Sequence, residues 1–261
     1  MRTGRSGLPF TMIKVALLSL LSTSLLSADQ ILLVLTNHAE LGDTGKRTGA
    51  YLGEAAHPYQ AFTEAGHEVT LASPEGGVVP IDPKSLELDD AATKAFWETY
   101  GNSSQDKPAI EKTTSLGEVK SEDFDGIFFA GGHGTMWDFP DSEAVQTKIA
   151  NIYEAGGVVG AVCHGPAALV NVKLEDGSYL VDGKTVSVFS DSEEKAVELE
   201  NTVPFLLAST LEERGAKVVN ADDFEEKAVR SDRLVTGQNP ASAKRTAELF
   251  LETLVDAGKS E

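Results

Sequence analysis

Cys163 is the single cysteine of a 261-residue chain, lying between the apolar run Val158-Val159-Gly160-Ala161-Val162 and His164-Gly165-Pro166. A short valine-rich run is the pattern of a strand covered on both faces of a parallel sheet. Gly165 permits a sharp turn, and Pro166, with fixed φ and no N–H, suits the first position of a helix. The thiol is therefore expected at the mouth of a helix beginning near Pro166. There, unpaired N–H groups and the positive end of the helix dipole would lower its pKa from the usual value of about 8.5. Nucleophilic thiol chemistry also needs a proton carrier and donors for an oxyanion. His164, Glu54 at the start of the first expected helix, and the acidic pair Glu193-Glu194 are the candidate proton carriers. The backbone N–H of His164 and one from Gly131-Gly132 are the candidate donors, the latter within Gly131-Gly132-His133-Gly134-Thr135, where glycines let the backbone approach a ligand closely. The alternative is an inert buried thiol, a common state of free cysteine.

These residues need a scaffold that brings strand ends together, and the pattern of the chain predicts one. Apolar runs at 30–36, 68–73, 126–130 and 158–162 read as buried strands, and helical periodicity covers 51–65 and 142–155. Strand, helix, strand in alternation implies right-handed parallel crossovers, with ligand sites at the carboxyl ends of the strands. Residues 74–122 read as an irregular insertion that covers the sheet edge or caps the site, with a helix over 88–100 and an exposed connection over 103–115. Further on, the pattern predicts a small hairpin over 174–181, strands at 185–189, 217–220 and 233–236, helices over 204–214 and 242–255, and a solvated acidic loop at 222–226.

With 41 acidic against 22 basic residues and a formal charge of −19, the chain lacks the basic surface that binding nucleic acid requires. One cysteine excludes an internal disulfide. Residues 1–28 read as a secretory signal, in which Arg2, Arg5 and Lys14 precede an uncharged apolar stretch ending at Ala28. That stretch is serine-rich and shorter than the roughly 20 apolar residues of a stable membrane span. Export to the periplasm or beyond is the expectation, with a cytoplasmic location as the alternative. Residues 29–261 would then form a single domain. His38, His57, His67 and His133 have no spacing that demands zinc, so neither a metal nor a cofactor is expected. Trp137 and Phe139 are expected to wall the pocket or a subunit contact, and a homodimer is a compatible assembly.

Four ordered motifs carry a resemblance that spans Gln30 to the terminal helix. They are Ala161-Val162-Cys163-His164-Gly165-Pro166, the segment Ala130-Gly131-Gly132-His133-Gly134-Thr135-Met136-Trp137-Asp138-Phe139-Pro140, Thr48-Gly49 with Gly53-Glu54-Ala55-Ala56-His57-Pro58, and Val235-Thr236-Gly237-Gln238-Asn239-Pro240. Together they resemble the ThiJ/PfpI superfamily, related to class I glutamine amidotransferase domains, and within it the chaperone/glyoxalase III branch. The resemblance implies an α/β, flavodoxin-like three-layer sandwich with a mostly parallel central sheet and a nucleophile elbow. It places the catalytic cysteine at Cys163, its neighbouring histidine at His164 and the helix glutamate at Glu54, with the acidic triad member near Glu194; Glu193 and Asp191 remain alternatives. The implied activity is cofactor-independent conversion of methylglyoxal to lactate (a D-lactate dehydratase-type lyase). Two other readings use the same chain. One is a thiol hydrolase acting on peptides, amides or glycated proteins, and the other a stress chaperone or redox sensor that holds unfolded proteins.

Overall fold

The computed structural model describes residues 28–86, 88–104 and 107–258, with 1, 3 and 4 at the N-terminus. The expected secretory signal lies, apart from 1, 3, 4 and 28, outside the described residues. In chain order the elements are β1 (Gln30–Val34), α1 (Leu52–Glu64), β2 (Glu68–Ser73), β3 (Gly77–Pro80), α2 (Ala91–Tyr100), β4 (Ala109–Ser115), β5 (Gly126–Phe129), α3 (Thr135–Asp138), α4 (Glu143–Glu154) and β6 (Val158–Val162). They continue with β7 (Thr185–Val186), α5 (Asp191–Ala196), α6 (Leu207–Glu213), β8 (Lys217–Val218), β9 (Ala228–Ser231), β10 (Leu234–Gly237) and α7 (Ala243–Ala257).

Eight strands form one sheet in the order β3-β4-β2-β1-β5-β6-β10-β9. All neighbours are parallel except the two outermost strands, β3 against β4 and β9 against β10. The apolar runs of the central strands follow from burial on both faces, since successive side chains point to opposite sides. Ile31, Leu33 and Phe128 pack with Leu52, Ala55 and Phe62 of α1 and Ala247 and Phe250 of α7. Leu32, Val34, Ile127 and Phe129 pack on the other side with Val145, Ile149 and Ile152 of α4 and Leu207 and Leu211 of α6. The result is the three-layer α/β sandwich.

Several expectations need correction. Residues 103–115, expected as an exposed connection, largely form β4, where Ala109, Ile110 and Thr113 are buried and the Ser73 and Thr113 hydroxyls bond at 2.6 Å. Its exposed Glu111 and Lys112 between buried residues are those of a strand near a sheet edge. The expected strands at 185–189 and 217–220 shrink to β7 and β8, which pair only with each other in a separate two-stranded sheet. β9 takes the outer edge in their place, a short strand whose Arg230 hides it from an apolar-run reading. The helix expected from Pro166 is a five-residue 3-10 turn, Gly165–Leu169.

Gly160 of β6 lets the Phe128 and Phe250 rings close over the strand that leads to Cys163. A Cβ there would stand 2.5 Å from Phe128 Cδ2 and 2.7 Å from Phe250 Cδ2. Gly160→Ala is therefore expected to cost about 1–3 kcal/mol through overpacking, read as a lower urea midpoint with unchanged m-value.

Candidate active site

The carboxyl ends of β1, β5, β6 and β10 meet around Cys163, the position at which open α/β sheets bind ligands. The chain turns out of β6 with Cys163 at φ 60, a left-handed conformation that costs a residue bearing a Cβ roughly 1–2 kcal/mol. Two hydrogen bonds hold it there: Cys163 N–H donates to Gly237 O at 2.9 Å, and Phe189 N–H donates to Cys163 O at 3.0 Å. The glycine loop is tied to this elbow by the Thr135 hydroxyl, which bridges Gly132 O and His164 O, each at 2.9 Å. Gly132 has φ +102, and a Cβ on it would lie 2.3 Å from Gly49 O, so only glycine fits.

His164 joins the thiol to a carboxylate. Its Nδ1 is 3.3 Å from Cys163 Sγ and its Nε2 is 2.8 Å from Glu194 Oε2. The other oxygen of Glu194 meets His133 Nε2 at 2.9 Å, so one carboxylate orients two imidazoles whose ring centres are 4.0 Å apart. Burial works to raise the Glu194 pKa, but the hydrogen bonds from His133 and His164 outweigh it and hold the group at about 2. An ionised Glu194 requires His164 to carry its proton on Nε2, which leaves Nδ1 as an acceptor facing sulfur. Burial first, and then the neighbouring His133, push His164 down to about 4, so the ring is neutral at physiological pH.

Glu54 approaches from the first turn of α1 and is fully buried. Its Oε2 accepts the N–H of Gly131 at 2.9 Å, Oε1 is buried, and the carboxyl bonds with the Cys163 thiol beside it. Burial pushes the Glu54 pKa up to about 8. Burial also pushes the Cys163 thiol well up, reinforced by the charge of Glu54 and opposed by the His164 N–H. This reverses the depressed thiol pKa expected at a helix mouth. A five-residue 3-10 turn supplies little dipole, and the nearest acid stands beside the sulfur.

The structure thus brings Cys163, His164, Glu54, Glu194, Gly131, Gly132 and His133 to one place. Gly131 uses its N–H to hold Glu54, so the N–H groups of Gly132 and His164 are the candidates left for an oxyanion. Glu193 and Asp191 are engaged elsewhere. Glu193 closes the capping box of α5 on Ser190 and accepts from Phe224 N–H and Asn239 Nδ2, and Asp191 accepts from the Ser209 hydroxyl. The pattern Ser190-x-x-Glu193 is a readable sign that Glu193 caps a helix. Trp137 and Phe139 do not wall the pocket: Trp137 stacks on His38, and Phe139 packs on Phe129 in the core. Phe189, a residue whose role the strand pattern did not reveal, lies with its ring centre 4.3 Å from that of His164.

The site opens into a cavity of about 290 Å³ lined by Cys163, His133, His164 and Phe189. Among the described residues, one group has the proximity to hold a metal ion: His133, His164 and Glu194, with ligand atoms within 4.8 Å of one another. In this structure those atoms satisfy each other through hydrogen bonds, and the two remaining histidines outside the pocket that make ion-pair contacts, His57 and His67, face Asp90 and Asp29. No helix among the described residues is long and apolar enough to cross a membrane.

Known proteins share this arrangement of sequence and fold. Glyoxalase 3 of Candida albicans is 32% identical over 227 residues, covering 84% of this chain and 95% of its own length. The glutathione-independent glyoxalase HSP31 of Saccharomyces cerevisiae is 32% identical over 232 residues, covering 86% of this chain and 98% of its own. Among solved structures, glyoxalase III from Candida albicans superposes with a TM-score of 0.77 at 30% identity, over 86% of this chain and 97% of that one. The DJ-1/PfpI family model matches residues 48–253, from the loop before α1 into α7. The chain belongs to the DJ-1/PfpI family.

Proposed function

We propose that this protein converts methylglyoxal or a related 2-oxoaldehyde to the 2-hydroxy acid, without glutathione or another cofactor. The observation that carries the reading is the placement of a proton-transfer group on each side of one thiol: His164 Nδ1 at 3.3 Å, and the buried Glu54 carboxyl, which bonds with the thiol. The glyoxalase names of the relatives support the same reading.

Sulfur adds to the aldehyde carbon and forms a C–S bond. The thiol proton passes through His164 Nδ1 to the former aldehyde oxygen, whose transient charge faces the N–H groups of Gly132 and His164. The ionised Glu54 carboxylate then removes the hydrogen from that carbon, and the electron pair becomes the double bond of an enediol as the ketone oxygen takes a proton from water, the hydroxide being neutralised by the hydroxyl proton lost in the next step. Return of the proton from Glu54 to the second carbon, with loss of the hydroxyl proton from the first, gives a thioester of the hydroxy acid. Water attacks the thioester, the C–S bond breaks and the thiol regains its proton. The sum is addition of water to the oxoaldehyde, with no external oxidant or reductant.

A hydrolase would use the same Cys163–His164–Glu194 set but gives no task to the buried acid Glu54. A chaperone reading finds only single exposed apolar side chains among the described residues, such as Val78, Val219 and Phe224.

Glu194 fixes the His164 tautomer, so Glu194→Gln is expected to lower kcat on the order of 10³–10⁴-fold with little change in KM, because a glutamine amide can donate to Nε2 and turn the ring's acceptor away from sulfur. Steady-state kinetics on methylglyoxal check this, and a loss confined to KM would be inconsistent with the assigned role.

A further inference from the structure

The mouth of the active-site cavity has the opposite charge balance from the rest of the chain. Acidic residues outnumber basic ones 41 to 22 overall, yet Lys46, Arg47 and Lys84 line the cavity against one lining carboxylate, Asp82, which is buried. The three cations come from two loops far apart in sequence. Lys46 and Arg47 follow the 3-10 turn Gly42–Thr44 beyond β1, and Lys84 lies in the turn Pro83–Ser85 beyond β3. Backbone hydrogen bonds lock those loops together: Ala50 N–H donates to Pro80 O and Asp82 N–H to Ala50 O, both at 2.9 Å. The Asp82 carboxylate serves the same junction, accepting from Thr48 Oγ1 at 3.0 Å and from Lys84 N–H at 2.9 Å.

The cations themselves are not consumed by the protein. Among the described residues, Lys94, Lys184, Arg230 and Arg245 stand in ion pairs with carboxylates and the other lysines and arginines do not, so what sets these three apart is their convergence on one opening. Lys46, Arg47 and Lys84 are exposed and make no ion pair among the described residues. In so acidic a chain, three unpaired cations converging on one opening form a local positive field above a buried thiol. The cavity, about 290 Å³, also leaves space beyond the few atoms of methylglyoxal, since it approaches the roughly 300 Å³ lower bound of ordinary small-molecule pockets.

We propose that the pocket selects substrates with an anionic tail, a carboxylate or phosphate held at Lys46, Arg47 and Lys84 while the carbonyl carbon reaches Cys163. For the reacting end this rests on the 2-oxoaldehyde reading above; the anion selectivity is a property of the cavity mouth and is measurable without turnover. The tail arrives first in the field of the cations, and the apolar wall at Phe189 leads the uncharged carbonyl end inward.

Because Cys163 is the single cysteine, alkylation of the full chain reports on this one site. Rates of reaction with iodoacetate and with uncharged iodoacetamide are measured, and their ratio is compared with that of a free thiol, N-acetylcysteine. The expected ratio for the protein exceeds the free-thiol ratio by about tenfold at low ionic strength and falls toward it in high salt. It falls likewise in the triple variant Lys46→Ser, Arg47→Ser, Lys84→Ser. The same comparison is made for kcat/KM with para-carboxyphenylglyoxal against phenylglyoxal. A ratio that is unchanged by salt and by the triple substitution overturns the proposal, even if phenylglyoxal is turned over. Loss of turnover on both glyoxals, with the salt- and variant-dependent alkylation ratio intact, overturns the 2-oxoaldehyde reading instead and leaves anion selection standing.

Discussion

Cys163→Ala is expected to lower kcat for methylglyoxal by at least about 10⁴-fold while leaving a folded protein. The loss is large because each step of the proposed mechanism runs through a bond to sulfur, and neither His164 nor Glu54 has another nucleophile to serve. Folding survives because cysteine and alanine both carry a Cβ, so the left-handed backbone at φ 60 costs the same in either, and the two backbone bonds to Gly237 and Phe189 do not involve the side chain. Cys163→Gly removes that Cβ and is expected to be more stable than Cys163→Ala by up to about 1 kcal/mol, yet equally inactive. Thermal melts beside turnover separate the two effects. An alanine variant that loses activity only because it unfolds would show itself in the melt.

Glu54→Gln is the second large effect, and it moves activity and stability in opposite directions. Without a carboxylate to carry the proton between the two carbons, kcat is expected to fall about 10²–10⁴-fold, the usual range for a general base, with KM less affected. Stability should rise. A carboxyl group whose folded pKa, about 8, lies above its ordinary 4.5 favours the unfolded chain once the pH exceeds 4.5, and the penalty grows until the pH passes the folded value. At neutral pH that penalty is on the order of 3 kcal/mol, and a neutral isostere removes it. The gap in melting temperature between Glu54→Gln and wild type should therefore widen from acid toward neutral pH. The same ionisation predicts that wild-type kcat/KM rises through an apparent pKa near 8, a limb belonging jointly to Glu54 and Cys163, and that the glutamine variant lacks it. A flat wild-type profile across that range would deny Glu54 its role as base.

The parts of this site legible in the sequence are those dictated by local chemistry. Cys163 announced itself because a glycine and a proline break a valine-rich strand immediately after it, and the β1, β5 and β6 runs are apolar throughout because both faces of a central strand are buried. β4 and β9 escaped that reading for the same reason in reverse. Near the edges of the sheet, Glu111, Lys112 and Arg230 point to solvent and interrupt any apolar run. The thiol pKa lies opposite to the sequence expectation because a helix dipole depends on the length of the helix, which Gly165-Pro166 cannot reveal, and because burial is a property of the whole fold. Nothing near Lys46 in the chain points to Lys84. Their common position exists only once Ala50 pairs with Ile81 and the two loops close over the strand ends.

The division of labour at one thiol also explains why so buried a cysteine can react. At rest the site holds a neutral thiol, a neutral imidazole and a neutral Glu54, with the one firm charge on Glu194 spread over two histidine donors. Such a site avoids keeping a thiolate beside a carboxylate, and the fraction of molecules with Glu54 ionised, which grows as the pH approaches 8, is the one that can take the carbon-bound hydrogen.

The most direct measurement is proton NMR of the full chain with methylglyoxal in the absence of glutathione. The mechanism predicts that lactate accumulates in step with methylglyoxal loss for wild type and not for Cys163→Ala. Lactate produced by Cys163→Ala at the wild-type rate, or methylglyoxal left unconverted to lactate by the wild-type protein, would contradict it.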